Sequence, residues 1–357
     1  MDTAERVRLV TRHAVETLTE AEVSALFERE AHPKAYIGFE PSGLLTIGHL
    51  VTARKMRDLQ EAGCALTVFL ADWHAWINDK LGGDLDRIRA AGRYMEAAFT
   101  ALGVDPERAT YRFASELAGR SEYWARVVRV AKATSLARTK RAMTILGRGE
   151  EESQLDTAKL FYPAMQAADI FELPVDLAYA GIDQRRAHVL AREVAHSYGW
   201  PVPVAVHTPL ISSLKGGGRM DPSADGVERK MSKSDPTGSI QVPASEAEVE
   251  ERVAKAFCPA KEVDGNPLVE VVRFIAFPWE GKFALEREAK HGGPKEYATP
   301  AEFLEEWQAG SVHPMDLKRS VALVLVRLLA PSRAYFAAHP EAVPADLSAD
   351  RARARVK

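Results

Sequence analysis

Cysteine is nearly absent from this chain of 357 residues: the two present, Cys64 and Cys258, stand far apart and in no metal-ligand spacing. That excludes a disulfide framework and a thiolate zinc site, and leaves two buried or idle thiols. Long hydrophobic runs are missing too. No stretch reaches the roughly 18 consecutive apolar residues that a membrane-spanning helix needs. The opening MDTAERVRLVTRHAVETL is charged and helix-periodic, without the unbroken apolar core of a signal peptide. The expectation is a cytoplasmic protein with no membrane association. Nor is there an excess of positive charge: 47 Lys plus Arg face 50 Asp plus Glu, a formal net charge of -3. No overall field therefore draws nucleic acid, and any RNA contact has to use local basic patches.

What is present is an ordinary globular composition, 46% hydrophobic and 27% charged, enough to bury a core and to divide into about two domains. After an N-terminal helical segment over 1–30, short apolar runs alternate with longer amphipathic ones, the pattern of a parallel α/β sheet with helices on both faces. The candidate strands are 35–39, 66–70, 110–113, 177–180 and 204–207. From 211 to 230 the chain turns rich in Gly, Ser, Asp and Lys and reads as a loop. Beyond Cys258 and Pro259 helical patterns dominate, notably over 315–329. The expected division is a catalytic α/β domain over 31–227, a loop and linker over 228–261, and a smaller helical domain over 262–357 with a frayed end.

Two short elements carry phosphate chemistry. Residues 36–50, YIGFEPSGLLTIGHL, read as a strand, a Pro-Ser-Gly loop and a helix that begins near Ile47. A helix N-terminus presents unpaired N–H groups and positive partial charge, which suits phosphate. Gly48 would let a nucleotide lie close to the backbone, and His49 can donate a ring N–H to a phosphoryl oxygen. A Gly-His pair alone means little; its place after a first strand gives it weight. Residues 229–235, RKMSKSD, gather Lys230, Ser232, Lys233 and Ser234 around Met231. Such a loop can cover a triphosphate and neutralise charge on departing pyrophosphate, although taken alone it also reads as a solvated basic turn.

Together, Thr46-Ile47-Gly48-His49 and Lys230-Met231-Ser232-Lys233-Ser234 resemble the two signature motifs of class I aminoacyl-tRNA synthetases. The first departs from the pattern, with Thr46 where the family has a histidine; a hydroxyl donates one hydrogen bond and carries no titratable charge. The resemblance implies a Rossmann-like catalytic domain, ATP taken up with Mg²⁺ as the substrate complex, no tightly bound cofactor and no dedicated metal ligands. It assigns catalysis to His49, Lys230 and Lys233, and ATP binding to these with Thr46, Gly48, Met231, Ser232 and Ser234.

Segments YIGFEPSG, LADWHAW, FYPAMQAADI, GIDQRR and HPMDLK extend the resemblance over nearly the whole chain to the archaeal and eukaryotic type of tyrosyl-tRNA synthetase. Carried onto matching positions, the tyrosine pocket becomes Tyr36, Glu40, Tyr162, Gln166, Asp169 and Gln184. In that family the Tyr36 and Asp169 positions meet the phenolic hydroxyl, and the Tyr162, Gln166 and Gln184 positions hold the α-amino group. The chemistry is sensible without the analogy. Tyr162, Gln166 and Asp169 fall at i, i+4 and i+7 on one helix face, and a carboxylate with a second phenol satisfies a hydroxyl that both donates and accepts. Asp169 could equally be a structural ion-pair partner, and His74 either a pocket wall or a packed core histidine.

For tRNA, residues 126–141, RVVRVAKATSLARTKR, supply a basic helical stretch. The resemblance points within and beside it to Arg141 and Arg185 as acceptor-stem contacts. HPMDLK resembles the anticodon-reading segment, with His313, Pro314 and Asp316, and His291 stands where an aromatic ring stacks on an anticodon base. Asp316 could instead cap the helix that starts near Met315. The expected activity is tyrosine–tRNA ligase, with L-tyrosine, ATP and tRNA(Tyr) as substrates and a homodimer as the assembly. Rivals are a tryptophanyl-tRNA synthetase, against which Tyr36 with Asp169 argues, a catalytically silent tRNA-binding paralogue, and a small-molecule nucleotidyltransferase, which would have no use for HPMDLK.

Overall fold

Apolar runs form strands, and here β2 (Lys34–Phe39), β3 (Ala65–Leu70), β4 (Ala109–Phe113), β5 (Leu177–Gly181) and β6 (Val204–Thr208) lie within a residue or so of the expected ends, preceded by a short β1 (Glu16–Leu18). In this computed structural model the described residues are 1–143, 156–216, 231, 235 and 237–347. Lys230, Ser232, Lys233 and Ser234 lie outside them. By internal contacts the chain forms two units: Met1–Ser42, Lys55–Glu96 and Gly103–Pro209 make the first, and Gly43–Arg54, Ala97–Leu102 and Leu210–Lys357 the second.

The first unit holds a six-stranded sheet of order β1-β6-β5-β2-β3-β4. All neighbouring pairs are parallel except β1, which runs antiparallel to β6 with Thr17 opposite Val206. This edge strand was not expected: three half-buried residues are too short to show a period. It separates α1 (Thr3–Thr11) from α2 (Glu20–Arg29), whose start is fixed by a capping box between Thr19 and Glu22. From β2 the chain winds outward through β3 and β4, then returns to β5 and β6 on the other side. The topological switch therefore falls between β2 and β5, and in open α/β sheets ligands bind at the carboxyl ends of the strands there.

The helices that follow are α3 (Gly48–Glu61), α4 (Asp72–Ile77), α5 (Leu85–Ala101), α6 (Ser115–Ala118), α7 (Ser121–Lys132), α8 (Leu136–Ala142), α9 (Tyr162–Glu172) and α10 (Arg185–Tyr198). Helices α3 and α5 contribute residues to both units. The basic stretch expected to be one helical run is two helices, because Ser135 accepts a hydrogen bond from the Arg138 N–H and starts α8 afresh. Helix α9 packs against α7 and α10, and Phe69, Tyr123, Met165, Ile170 and Val194 are buried in one apolar cluster.

In the second unit, Leu45 and Ile47 exchange backbone hydrogen bonds with Val242 and Ile240, with Thr46 opposite Gln241. Beyond it stand α11 (Glu246–Lys255), α12 (Pro267–Val271), a π-helical turn over Val272–Ala276, and α13 (Phe277–Glu280). A hairpin of β7 (Phe283–Leu285) and β8 (Lys295–Tyr297) follows, then α14 (Pro300–Ala309) and α15 (Pro314–Ala338). The helical character expected past 262 is present, with the hairpin as an addition. By length and composition alone α15 could cross a membrane, but it carries Asp316, Lys318, Arg319, Arg327 and Arg333 and packs along α11 with Leu317, Val321, Leu325 and Leu329 buried.

Candidate active site

In the first unit the polar residues of α9 gather around buried acceptors. Asp169 is 1% exposed. The Tyr123 hydroxyl donates to its Oδ1 at 2.9 Å, and His74 Nε2 lies 3.1 Å from its Oδ2. Burial would lower the His74 pKa, but Asp169, with Glu40 and Asp72 behind it, outweighs that and leaves it raised. The carboxylate thus accepts a hydrogen bond from α7 and lies beside the His74 ring of α4. The His74 ring stands edge-on to Tyr162, centroids 4.9 Å apart.

Tyr36 comes from β2, paired with Thr67 on one side and Ala178 on the other. Burial first, and then the charge of Asp169, push its phenol well above the ordinary range. It stays protonated, a neutral group able to donate and accept. Two residues on, Gly38 shares its face of the strand. A Cβ placed there would stand 2.4 Å from the Tyr36 hydroxyl, so only glycine leaves that hydroxyl its place.

Glu40 follows the end of β2. Asn78 Nδ2 donates to both its oxygens at 3.1 and 3.2 Å, and Lys80 Nζ lies 3.4 Å from Oε2. Burial, and then Glu40, raise the Tyr162 phenol well above its usual range, with the Tyr162 hydroxyl hydrogen-bonded to that carboxylate. Gln166 Nε2 donates to Gln184 Oε1 at 3.1 Å, and Gln184 Nε2 to Asp183 Oδ2 at 3.2 Å. All six expected pocket residues therefore lie in this one unit, with Glu40 and Gln184 just beyond the ends of β2 and β5 at the switch point. Sequence reading missed Gly38, Asn78 and Tyr123. Tyr123 sits on the apolar face of a strongly amphipathic helix, where an aromatic reads as plain core.

The second unit holds the nucleotide elements. Helix α3 begins at Gly48, one residue after the expected start. The Thr46 N–H donates to His49 Nδ1 at 3.1 Å. The same nitrogen also lies 3.2 Å from the Thr46 carbonyl, so Thr46 holds the ring in place through Nδ1. Thr46 is buried and its hydroxyl lies 3.3 Å from the same nitrogen. A Cβ on Gly48 would meet only ordinary contacts, 3.5 Å to Thr46 Oγ1 and 4.0 Å to Ile211 Cβ. Packing within the protein does not demand glycine at 48. Of the second signature, the buried Met231 donates its N–H to the Ile211 carbonyl at 2.8 Å. Asp235, just after it, is gripped by Lys215 at 2.9 Å and accepts from the Thr237 and Gly238 N–H groups; its carboxyl is held below the usual range, these donors outweighing burial.

The expected tRNA residues are spread over both units. Arg141 is exposed on α8, its carbonyl accepting from Arg186. Arg185 opens α10 and is held at 2.8 Å by both oxygens of Glu16. His291 ends an exposed single turn over Ala289–His291. The cap of α15 is His313 and not Asp316: His313 Nδ1 accepts from the Met315 N–H at 3.2 Å, Pro314 takes the first helical position, and Asp316 lies in the first turn. Among the described residues no group of three or more His, Cys, Asp or Glu could hold a metal ion.

This arrangement has known counterparts. Residues 28–330 match the family described as tRNA synthetases class I (W and Y). A tyrosine–tRNA ligase of Aeropyrum pernix is 47% identical over 339 residues, covering 93% of each chain. The crystal structure of a tyrosyl-tRNA synthetase from Pyrococcus horikoshii complexed with L-tyrosine superposes with a TM-score of 0.89 at 40% identity, covering 97% of this chain and 99% of that one. One from Archaeoglobus fulgidus, also complexed with L-tyrosine, gives a TM-score of 0.83 at 39% identity over 94% of this chain and 99% of that one. With the family matched over residues 28–330 and relatives of this identity along nearly the whole length, the chain belongs to the class I tRNA synthetases of the tryptophan and tyrosine group.

Proposed function

We propose that this chain is a tyrosine–tRNA ligase: it activates L-tyrosine with ATP to tyrosyl-adenylate and pyrophosphate, then passes tyrosine to the 3′ end of tRNA(Tyr). The observation that carries the reading is the buried Asp169, set between Tyr123 and His74 and acting on the neutral Tyr36 phenol. Asp169 accepts the substrate's phenolic proton and Tyr36 donates to its oxygen, while Tyr162, Gln166 and Gln184 hold the α-amino group and Glu40 supports them. Phenylalanine would leave these groups unpaired. Sites built for a hydroxyl reject the analogue lacking it by about 10⁴ to 10⁵, the ratio characteristic of tyrosine-specific synthetases.

The tyrosine carboxylate attacks the α-phosphorus of ATP in line and pyrophosphate leaves; no protein nucleophile takes part. His49 donates its Nε2–H to the reacting phosphate, Thr46 acts by orienting His49, and Gly48 gives the nucleotide room that protein packing leaves open. Lys230 and Lys233 stabilise the pyrophosphate, with Met231, Ser232 and Ser234 completing the ATP contacts and Mg²⁺ arriving with ATP. In the second step the terminal ribose hydroxyl attacks the adenylate carbonyl, AMP leaves, and the adenylate phosphate takes the proton. Arg141 and Arg185 meet the acceptor stem, and His291, His313, Pro314 and Asp316 the anticodon. A homodimer fits the exposed apolar Val128 and Leu136 on α7 and α8, and a cytoplasmic setting fits the substrates.

Amino-acid-dependent exchange of pyrophosphate into ATP, run with tyrosine, tryptophan and phenylalanine, tests the reading. Exchange with tyrosine alone is expected; exchange with tryptophan would reassign the pocket, and none with any of the three would make the chain a silent paralogue.

A further inference from the structure

Within the second unit a backbone hydrogen bond ties the second signature element to Ile211, which with its neighbour Ser212 no step above uses. Met231 donates its N–H to the Ile211 carbonyl at 2.8 Å, and Ile211 Cβ is the second atom that a side chain at Gly48 would meet, at 4.0 Å. Three residues on from Ile211, Leu214 donates to the Gly238 carbonyl at 2.8 Å, and from there the chain reaches Ile240 and Val242, which pair with Ile47 and Leu45. Ile211 is buried, bonded to Met231 and next to the space a side chain at Gly48 would enter, so a shift in its backbone changes the surroundings of both.

What fixes that backbone is a carboxylate. The Ser212 N–H donates to Glu270 Oε2 at 2.7 Å and the Ser212 hydroxyl to Oε1 at 2.9 Å, so both oxygens grip one residue. Glu270 is itself mounted firmly. It stands on α12, whose cap Asn266 is fully buried, accepts from the Leu268 and Val269 N–H groups, and donates to the carbonyls of Pro259 and Glu262. The π-helical turn over Val272–Ala276 follows at once. Such turns are rare and are found frequently at functional sites.

We propose that Glu270 is a positioning residue for ATP: by clamping Ser212 it sets Ile211, and through Ile211 the spacing between the Gly48 helix start and Met231. The proposal rests on the reading that the elements around His49 and Met231 take the nucleotide. It assigns Glu270 no contact with substrate, and it separates the two substrates, because the tyrosine pocket belongs to the other unit.

The test is steady-state pyrophosphate exchange on the full chain, with ATP varied at saturating tyrosine and tyrosine varied at saturating ATP. Glu270→Ala is expected to lower kcat/KM for ATP by about ten- to a hundredfold, the cost of stranding two buried donors, with KM for tyrosine within about twofold. Glu270→Gln should recover most of the loss, since its amide oxygen accepts from the Ser212 N–H and its NH₂ donates to the hydroxyl. An equal loss for both substrates, or no loss for ATP, overturns the proposal. Should Glu270→Ala fail to fold, Ser212→Ala replaces it: a several-fold loss confined to ATP upholds the clamp, and wild-type ATP kinetics removes it. His49→Ala runs alongside. If it too leaves the ATP step intact, the nucleotide reading has failed; if it cripples that step while the Glu270 variants do not, only the clamp has.

Discussion

Asp169 is deeply buried, with Oδ1 accepting from the Tyr123 hydroxyl and Oδ2 3.1 Å from His74 Nε2. Removing it strands the Tyr123 hydroxyl, leaves His74 without its ion-pair partner and takes away the group that the substrate's phenolic O–H would meet. Asp169→Ala should therefore lower kcat/KM for tyrosine by about a hundredfold or more while barely changing that for phenylalanine. A preserved tyrosine-to-phenylalanine ratio would remove Asp169 as the phenol reader. Gly38 offers a gentler probe of the same hydroxyl pair. A methyl group at 38 collides with the Tyr36 hydroxyl at 2.4 Å, so Gly38→Ala should raise KM for tyrosine about tenfold or more, roughly the 1–3 kcal/mol of one lost hydrogen-bonding position, with KM for ATP unmoved. Equal movement of both constants would point to general damage to β2. At this scale the i, i+4, i+7 spacing that sets Tyr162, Gln166 and Asp169 along α9 is legible in the sequence. Their supports are not: Asn78 and Tyr123 come from separate elements that only the fold makes neighbours, and Gly38, though two residues from Tyr36 on β2, matters only through the place that hydroxyl takes in the folded chain.

Elements show the same division between local and distant information. The strands of the sheet were legible because a central strand must be apolar on both faces, and their neighbours because helical periodicity is strong over ten residues or more. The three residues of β1 fall below that threshold, and the split between α7 and α8 turns on a single capping serine. Capping also explains a residue no motif reached. Lys55, 1% exposed on α3, donates to the carbonyls of Leu9 at 3.3 Å, Val10 at 2.9 Å and Arg12, the acceptors left open where α1 ends. Lys55→Met keeps much of the volume and strands those carbonyls, so it should lower stability by about 2–4 kcal/mol, read as a reduced urea midpoint at unchanged slope. An unchanged midpoint would mean that water replaces the ammonium at no cost.

At the scale of the whole chain, composition drew boundaries near 228 and 262, whereas contacts assign the first signature, early in the sequence, to the same unit as Leu210–Lys357. The reason is the pairing of residues 45–47 with 240–242, nearly two hundred positions apart. No local pattern announces a pairing of that separation. Tyr36 and Asp169 on one side, and His49 and Met231 on the other, thus belong to different units, which no motif reading could tell.

A second long-range device, in the first unit, governs how the chain responds to acid. His188 on α10 and His207 on β6 lie 3.1 Å apart, Nδ1 to Nε2, and His207 Nδ1 is 2.9 Å from Glu16 Oε2 on β1. Burial, and then the neighbouring His207, press the His188 pKa down to about 3, against an opposing pull from Asp183. His207 is lowered as well, burial outweighing Glu16, with Arg185 adding to the depression. In the unfolded chain His188 takes up a proton below its ordinary 6.5, and in the folded one not until about 3. The unfolded state therefore binds more protons in that window, and stability falls with falling pH by up to about 1.4 kcal/mol per unit from this group alone. His74, raised by Asp169, acts in a different window: its contribution is complete below about 6.5 and is lost only as pH rises above that, so it leaves the slope from pH 6 to 4 to the buried pair. His188→Gln keeps a hydrogen-bonding partner for His207 and cannot titrate. Urea unfolding from pH 6 to 4 should then show a shallower loss of stability than the parent chain, and identical slopes would mean that the acid response comes from elsewhere.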